Sequence, residues 1–415
     1  MHNLLKQRLW IVCAIALWNV GAAIGAEGVS KTIVLIGGKK SHGPAEHDFP
    51  NGIRLLKILL ESSPDIRALH NVSVEAYPDG WPKDDAVLEN AAAIVWYFDG
   101  LEGHPMLDAD RRARFEQLMK NGIGLVALHQ ASTLPPEDKL IDLPRWLGGG
   151  RYGMFDRTTE MVEFQPAAHP ISRGVGAFTY LDEFYPTIRF GADREKVVPI
   201  LTGTLHIQVQ KDQPIVTKTE VRPVAWAFER PGGGRSFGFT GLHYLVGLDQ
   251  PELRKLLLNA IVWTAGIEVP KTGVRSGMPD AATKIKQEVE QTRRKTVTEA
   301  VVTHPVDDKV VDYPWGQLTW YVSRELKNSD TMTVGQAVIK PGQQNPRHFH
   351  PNCDEILHVV KGHIVQTMGD RTVEMRAGDT VSIPMGVKHN AKNIGAEDAV
   401  LAISFSSADR QVVGE

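Results

Sequence analysis

Residues 347–355 read RHFHPNCDE, which puts two histidines, two acids and a cysteine into nine positions of a chain with only two cysteines. Side chains alternate across an extended strand, so His348 and His350 point to one face. Pro351 and Asn352 favour a bend, after which Glu355 can return to that face from the next strand. A fourth donor stands in GDTVSIPMGVKHNAKN, residues 378–393, where Pro384 and Gly386 turn the chain ahead of His389. Three imidazoles and a carboxylate suit a divalent Fe, Mn, Zn, Ni or Cu ion. Cys353 is outside this pattern and reads as a small buried or half-exposed thiol, with Asp354 a solvated neighbour.

The spacing narrows the fold. Gly342, five residues, His348-x-His350, four residues, Glu355, six residues, Gly362 resembles the first cupin motif at each position. Gly378, five residues, Pro384-x-Gly386, two residues, His389, three residues, Asn393 resembles the second. The resemblance spans roughly 300 to 410 and implies an all-β cupin jelly-roll barrel with the metal in its mouth. It also admits a homodimer through the barrel.

A chain of 415 residues is long for one domain, so a second is expected ahead of the barrel. The formal net charge of -3 provides no basic face for nucleic acid or an anionic membrane, which leaves small ligands. At the start, Lys6 and Arg8 precede the apolar run LWIVCAIALWNV, then GAAIGA and Glu27. That layout reads as a secretory signal over 1–26 and predicts a periplasmic or secreted protein. The apolar run is short for a span, with an uncleaved membrane anchor as the alternative. Cys13 would leave with the signal, so no internal disulfide is expected.

From Lys31 short apolar runs alternate with amphipathic stretches. TIVLIGG, VSVEAYP, AAIVWYFD and IGLVALH read as buried strands. Ile53, Leu56, Leu59 and Leu60 form one helical face, and ADRRARFEQLMKNG a second helix that stops at Gly122. Such alternation predicts a parallel sheet covered on both faces. A β-richer insertion is expected from about 157 to 245, followed by the helix PELRKLLLNAIVWTAG. The domain is bounded at 27–268. Residues 269–299, polar and poor in large apolar groups, read as a linker with one helix near 281–294.

Ligands of open α/β sheets gather where strands end. The first such loop, GGKKSHGPAEHDF, offers Gly37, Gly38 and His42. The third strand ends at Asp99, and the fourth places His129 and Gln130 at an elbow. HPISRGVGAFTYLDEFY adds Glu183 and Tyr185, and GFTGLHY adds His243 and Tyr244.

Taken in order, VLIGGKKSHG, GLVALHQAS, WLGGGRYG, HPISRGV, DEFY and GFTGLHY resemble the ThuA-like family of trehalose utilisation over about 31–268. The resemblance implies a flavodoxin-like sheet similar to class I glutamine amidotransferases, and a role in sugar catabolism. Glutaminase chemistry needs a thiolate at the elbow. His129 stands there instead, so glutamine is not the substrate. No G-x-S-x-G elbow exists for a serine hydrolase either.

The resemblance implies a carbohydrate site. His129 or His243 would act as base, Glu183 would orient a histidine or act as acid, and His42 would hold a substrate oxygen. Gly37, Gly38, Asp99, Gln130, Tyr185 and Tyr244 would line it, with Trp146, Tyr152 or Tyr185 stacking on a sugar. The family association suggests 3-keto sugars, and a second metal held by the same histidines is a variant. Two alternatives stand beside it: a non-catalytic sugar-binding or sensing protein, and a metal-dependent dioxygenase or isomerase in the barrel.

Overall fold

The computed structural model describes residues 30–42, 46–136, 141–153, 157–210, 216–295, 302, 304, 309–329 and 331–414. The expected signal, 1–26, lies outside the described residues. Among the described residues no helix is long and apolar enough to cross a membrane.

The four apolar runs are strands Lys31–Ile36, Val72–Tyr77, Ala91–Trp96 and Gly124–Leu128. They pair in parallel, with Lys31–Ile36 between Val72–Tyr77 and Ala91–Trp96. Ile33, Val34, Leu35 and Ile36 are wholly buried, as a central strand covered on both faces requires. Helices Phe49–Ser62 and Pro251–Thr264 pack on one face, with Phe49, Ile53, Leu256 and Leu257 in one core. Helix Ala109–Lys120 covers the other with Phe115 and Leu118.

Two expectations are revised. Much of the supposed insertion belongs to the main sheet: Arg235–Phe239 is a fifth parallel strand beside Gly124–Leu128, and strands Val216–Glu229 and Val197–Gln210 continue it antiparallel. Among the described residues of that stretch, Thr158–Phe164 and Phe178–Phe184 form a separate two-stranded sheet, and Arg189–Phe190 pairs outside the main sheet with Gly149–Tyr152. The segment read as a linker also packs on this domain. Val269, Val274, Ala282 and Val289 join its core, the last two from helix Asp280–Lys295.

The second domain is a pair of antiparallel sheets of six and five strands. Its core holds Ile339, Val359, Ile364, Leu401, Phe405 and the buried Cys353. Burial pushes that thiol up to about 12, so it stays protonated, as expected of a packing cysteine.

Asn259 ties the first domain's last helix to two loops. Its amide donates to Ile171 O (2.8 Å) and Arg173 O (3.0 Å) and accepts from Val274 N (2.7 Å). Asn259→Ala is expected to lower unfolding stability by about 1–3 kcal/mol, because buried backbone groups lose their partners. Urea unfolding followed by circular dichroism measures this, and an unchanged midpoint would contradict it.

Candidate functional site

At the carboxyl end of Gly124–Leu128 the chain turns sharply, and His129 takes φ 52°. His47 (φ 41°) and Leu242 (φ 78°) are also in the left-handed region, which non-glycine residues rarely adopt. Three such residues around one spot mark stored backbone strain of roughly 1–3 kcal/mol each.

His129 Nδ1 lies 2.7 Å from Thr240 O. A carbonyl can only accept, so Nδ1 carries the proton and Nε2 of the neutral ring holds a lone pair. Around that Nε2 stand His47 Nε2 at 2.9 Å, Tyr185 Oη at 2.9 Å and His243 Nδ1 at 3.2 Å. Glu183 Oε1 is 3.9 Å from His129 Nε2 and 3.8 Å from His243 Nδ1. His47, His129, Glu183 and His243 thus bring four donor atoms within 4.8 Å of one another, all four residues buried. Desolvation first, then neighbouring His47 and His243, hold the His129 pKa well below its ordinary value. Desolvation lowers the His243 pKa in the same way, so both of these rings stand neutral beside the Glu183 carboxylate.

His47 was not singled out from the sequence. It lies five residues past His42 and two residues before helix Phe49–Ser62, whose N-cap is Asp48. Asp182 was missed as well. Fully buried, it accepts from Leu242 N (2.5 Å), His243 N (3.1 Å) and Glu183 N (2.8 Å), with Tyr180 Oη also bonded to it. The strained turn that delivers His243 is therefore fastened to the strand that delivers Glu183.

The remaining expected residues divide into rim and scaffold. His42 is exposed, its ring centroid 3.7 Å from that of His47. Ser41 Oγ donates to Asp99 (2.8 Å) and lies 2.9 Å from His42 Nδ1, so Asp99 and His42 border the cluster on the His47 side. Tyr244 is half-buried, its ring edge-on to His243 at 4.5 Å. Gly37, Gly38 and Gln130 stand in close packing. A Cβ on Gly37 would meet Pro78 O at 2.4 Å, one on Gly38 would meet Phe98 Cβ at 2.8 Å, and Gln130 Oε1 accepts from Gly100 N at 3.3 Å. Tyr185, expected to meet a sugar, is wholly buried between the His129 ring and the Arg151 guanidinium. Trp146 is buried against Phe115, which leaves the half-buried Tyr152 of the proposed stacking residues near solvent.

In the barrel, His348 and His389 face each other across paired strands, and Glu355 opens the strand Glu355–Lys361. Each imidazole has its Nδ1 against a carbonyl: His348 on Pro346 (2.9 Å), His350 on Gln411 (2.6 Å) and His389 on Val387 (2.8 Å). All three Nε2 atoms are thereby turned inward. Glu355 Oε2 lies 2.9 Å from His389 Nε2 and 3.2 Å from His350 Nε2. Fixing the outer nitrogen on a carbonyl orients a metal-binding imidazole and sets its tautomer. The expected four residues converge, with all four donor atoms within 4.8 Å.

Comparison with known proteins bears on both domains. The family described as "ThuA: Trehalose utilisation" matches residues 34–264, and the cupin domain family matches 335–405. Among curated proteins the chain is similar to polyketide synthase CurC of Streptomyces cyaneus, 30% identical over 73 residues (18% of this chain, 47% of the relative). It is likewise similar to oxalate oxidase 1 of Hordeum vulgare, 31% identical over 94 residues (21% and 47%). The chain therefore spans less than half the length of these relatives. Among solved structures, an oxalate oxidase aligns at 25% identity over 27% of this chain and 62% of that one, TM-score 0.25. The polyketide cyclase RemF of Streptomyces resistomycificus aligns at 19% over 28% and 85%, TM-score 0.25.

Asp182→Ala would leave the buried amides of Leu242 and His243 without acceptors, at about 1–3 kcal/mol each. Chemical denaturation is expected to show a loss of at least about 2 kcal/mol. Wild-type stability would mean the turn is held by something else.

Proposed function

The chain belongs to the ThuA trehalose-utilisation family and carries a C-terminal cupin domain, and from that premise we propose that it processes carbohydrates at a divalent-ion centre formed by His47, His129, Glu183 and His243. One observation carries the proposal. An imidazole nitrogen offers a single lone pair, yet three polar groups lie within 3.2 Å of His129 Nε2. That lone pair can take one hydrogen bond, as from the Tyr185 hydroxyl, whereas a cation accepting lone pairs from several nitrogens accounts for the approach of His47 and His243 as well. Three histidines and one carboxylate fit a first-row divalent metal.

When bound, such an ion polarises a sugar oxygen. The buried His129 and His243 hold it, which moves them from the base role expected of them to that of ligands. The exposed His42 at the rim takes the proton-transfer role. In a sugar oxidised at C3 the ketone acidifies the C2 hydrogen. His42 removes that proton, the C1–O bond breaks, and its electron pair leaves with the glycosidic oxygen, which takes a proton from solvent. Return of the proton to the opposite face of C2 gives the epimer instead. Arg157, with Nε 3.5 Å from Glu183 Oε2 and more than half exposed, is placed to bind a sugar oxygen at the same rim. The signal-like N-terminus would put this activity in the periplasm or outside the cell.

The barrel is a second divalent-ion site on His348, His350, Glu355 and His389, and its inward-turned Nε2 atoms support that reading. Elemental analysis of the full chain is expected to give two divalent ions. His129→Ala should lose one and His348→Ala/His389→Ala the other; one ion in the wild type, unaffected by His129→Ala, would refute the first centre. Incubation with a 3-keto disaccharide, followed by mass spectrometry, should show elimination or epimerisation that His42→Ala slows by about 10²-fold or more. If chelation abolishes turnover while His129→Ala retains it, the chemistry lies in the barrel. An inert, fully metallated protein that binds sugar unchanged would support the sensing alternative.

A further inference from the structure

We propose that the barrel braces the centre of the other domain through two positioning residues, Arg324 and Gln411. Arg324 belongs to the barrel domain, where its backbone N donates to Ala408 O (3.1 Å) and its Nε to Asp409 (2.6 Å). Its Nη2 crosses to the first domain and pairs with Glu46 Oε1 at 3.0 Å. Glu46 directly precedes His47 and forms an antiparallel bridge with Tyr244, and His47 N donates to His243 O at 3.1 Å. One guanidinium therefore fastens the small backbone junction that carries two of the four converging residues.

Gln411 acts on the third. Its backbone carbonyl takes the Nδ1 proton of His350, while its side-chain amide reaches the strand Thr158–Phe164 of the other domain. Oriented to satisfy both groups, that amide accepts from Thr159 N at 3.2 Å and donates to Thr159 O at 2.9 Å. Thr159 sits directly opposite Glu183 in the two-stranded sheet. Two residues on, Met161 N donates to Pro351 O at 3.1 Å, and the Phe349 ring meets His206 edge-on at 5.1 Å. The contact is built from the ligand strand of the barrel and the strand that pairs with the carboxylate of the other centre. Each anchor is one residue or one cross-strand pair from a converging side chain, close enough to fix where its donor atom points.

The inference rests in part on the metal reading of the first centre, so its test has two arms. Hydrogen exchange on the intact chain is expected to speed up over residues 46–52 and 240–245 in Arg324→Ala and over 179–185 in Gln411→Ala, with the barrel strands 333–339 and 399–405 unchanged. Unchanged exchange in all three segments would overturn the proposal whether or not metal binds. In the second arm, His348→Ala/His389→Ala isolates the first centre, which is titrated with Co(II) and read by its visible absorption. Adding Arg324→Glu is expected to weaken Co(II) binding by about 10-fold or more and alter the spectrum, and adding Glu46→Arg as well should restore most of both. Unaltered affinity and spectrum in Arg324→Glu would overturn the bracing role. Should that variant fail to fold, Gln411→Ala removes only the side-chain amide, keeps the carbonyl that serves His350, and carries the same test. If the isolated centre takes up no Co(II) at all, the metal reading fails and hydrogen exchange alone decides the bracing role.

Discussion

Four backbone carbonyls determine what this protein can do. Thr240 O takes the Nδ1 proton of His129 in one domain, and Pro346, Val387 and Gln411 take those of His348, His389 and His350 in the other. A carbonyl cannot donate, so each ring carries a proton on Nδ1 and turns its Nε2 toward a carboxylate-bearing cluster. The fold supplies these carbonyls in different ways. In the sheet domain a strained turn after the fifth parallel strand brings Thr240 over the elbow at His129. In the barrel the carbonyls come from loops and from the C-terminal segment that pairs with the His348 strand.

Burial makes the arrangement consequential. Desolvation holds the pKa values of His129, His243, His348 and His350 below the ordinary imidazole value, because a buried charge is penalised. The low local dielectric that disfavours charge on the rings also strengthens their interaction with a cation that replaces the missing protons. Asp182 supports the sheet-domain cluster from outside it. Burial, opposed by its hydrogen bonds, pushes its pKa up to about 7, and it accepts three backbone amides without entering the cluster.

Much of the fold was legible because its signals are local. Short, β-branched apolar runs such as residues 33–36, closed by glycines, read as buried strands, and the glycine, proline and histidine spacings of the barrel are fixed by its turns. What stayed hidden depends on distant partners. Val269 and Val274 are isolated apolar residues in polar sequence, and only the core they join shows that the segment is not a free connector. Tyr185 looked like a sugar platform because it ends a strand, but Arg151 and His129 enclose it. His47 was masked by His42 in the same loop; it is the buried one that reaches His129, and the left-handed backbone that turns it inward has no sequence signature outside glycine and asparagine. The contacts of Arg324 and Gln411 across the domains span more than 250 residues and leave no local trace.

X-ray absorption at the zinc edge, on the His348→Ala/His389→Ala chain loaded with one equivalent of Zn(II), tests the sheet-domain centre most directly. Three imidazole nitrogens at about 2.0–2.1 Å with one carboxylate oxygen at a similar distance are expected. A shell of oxygens without the multiple-scattering features of imidazole would contradict the assignment of His47, His129 and His243 as ligands.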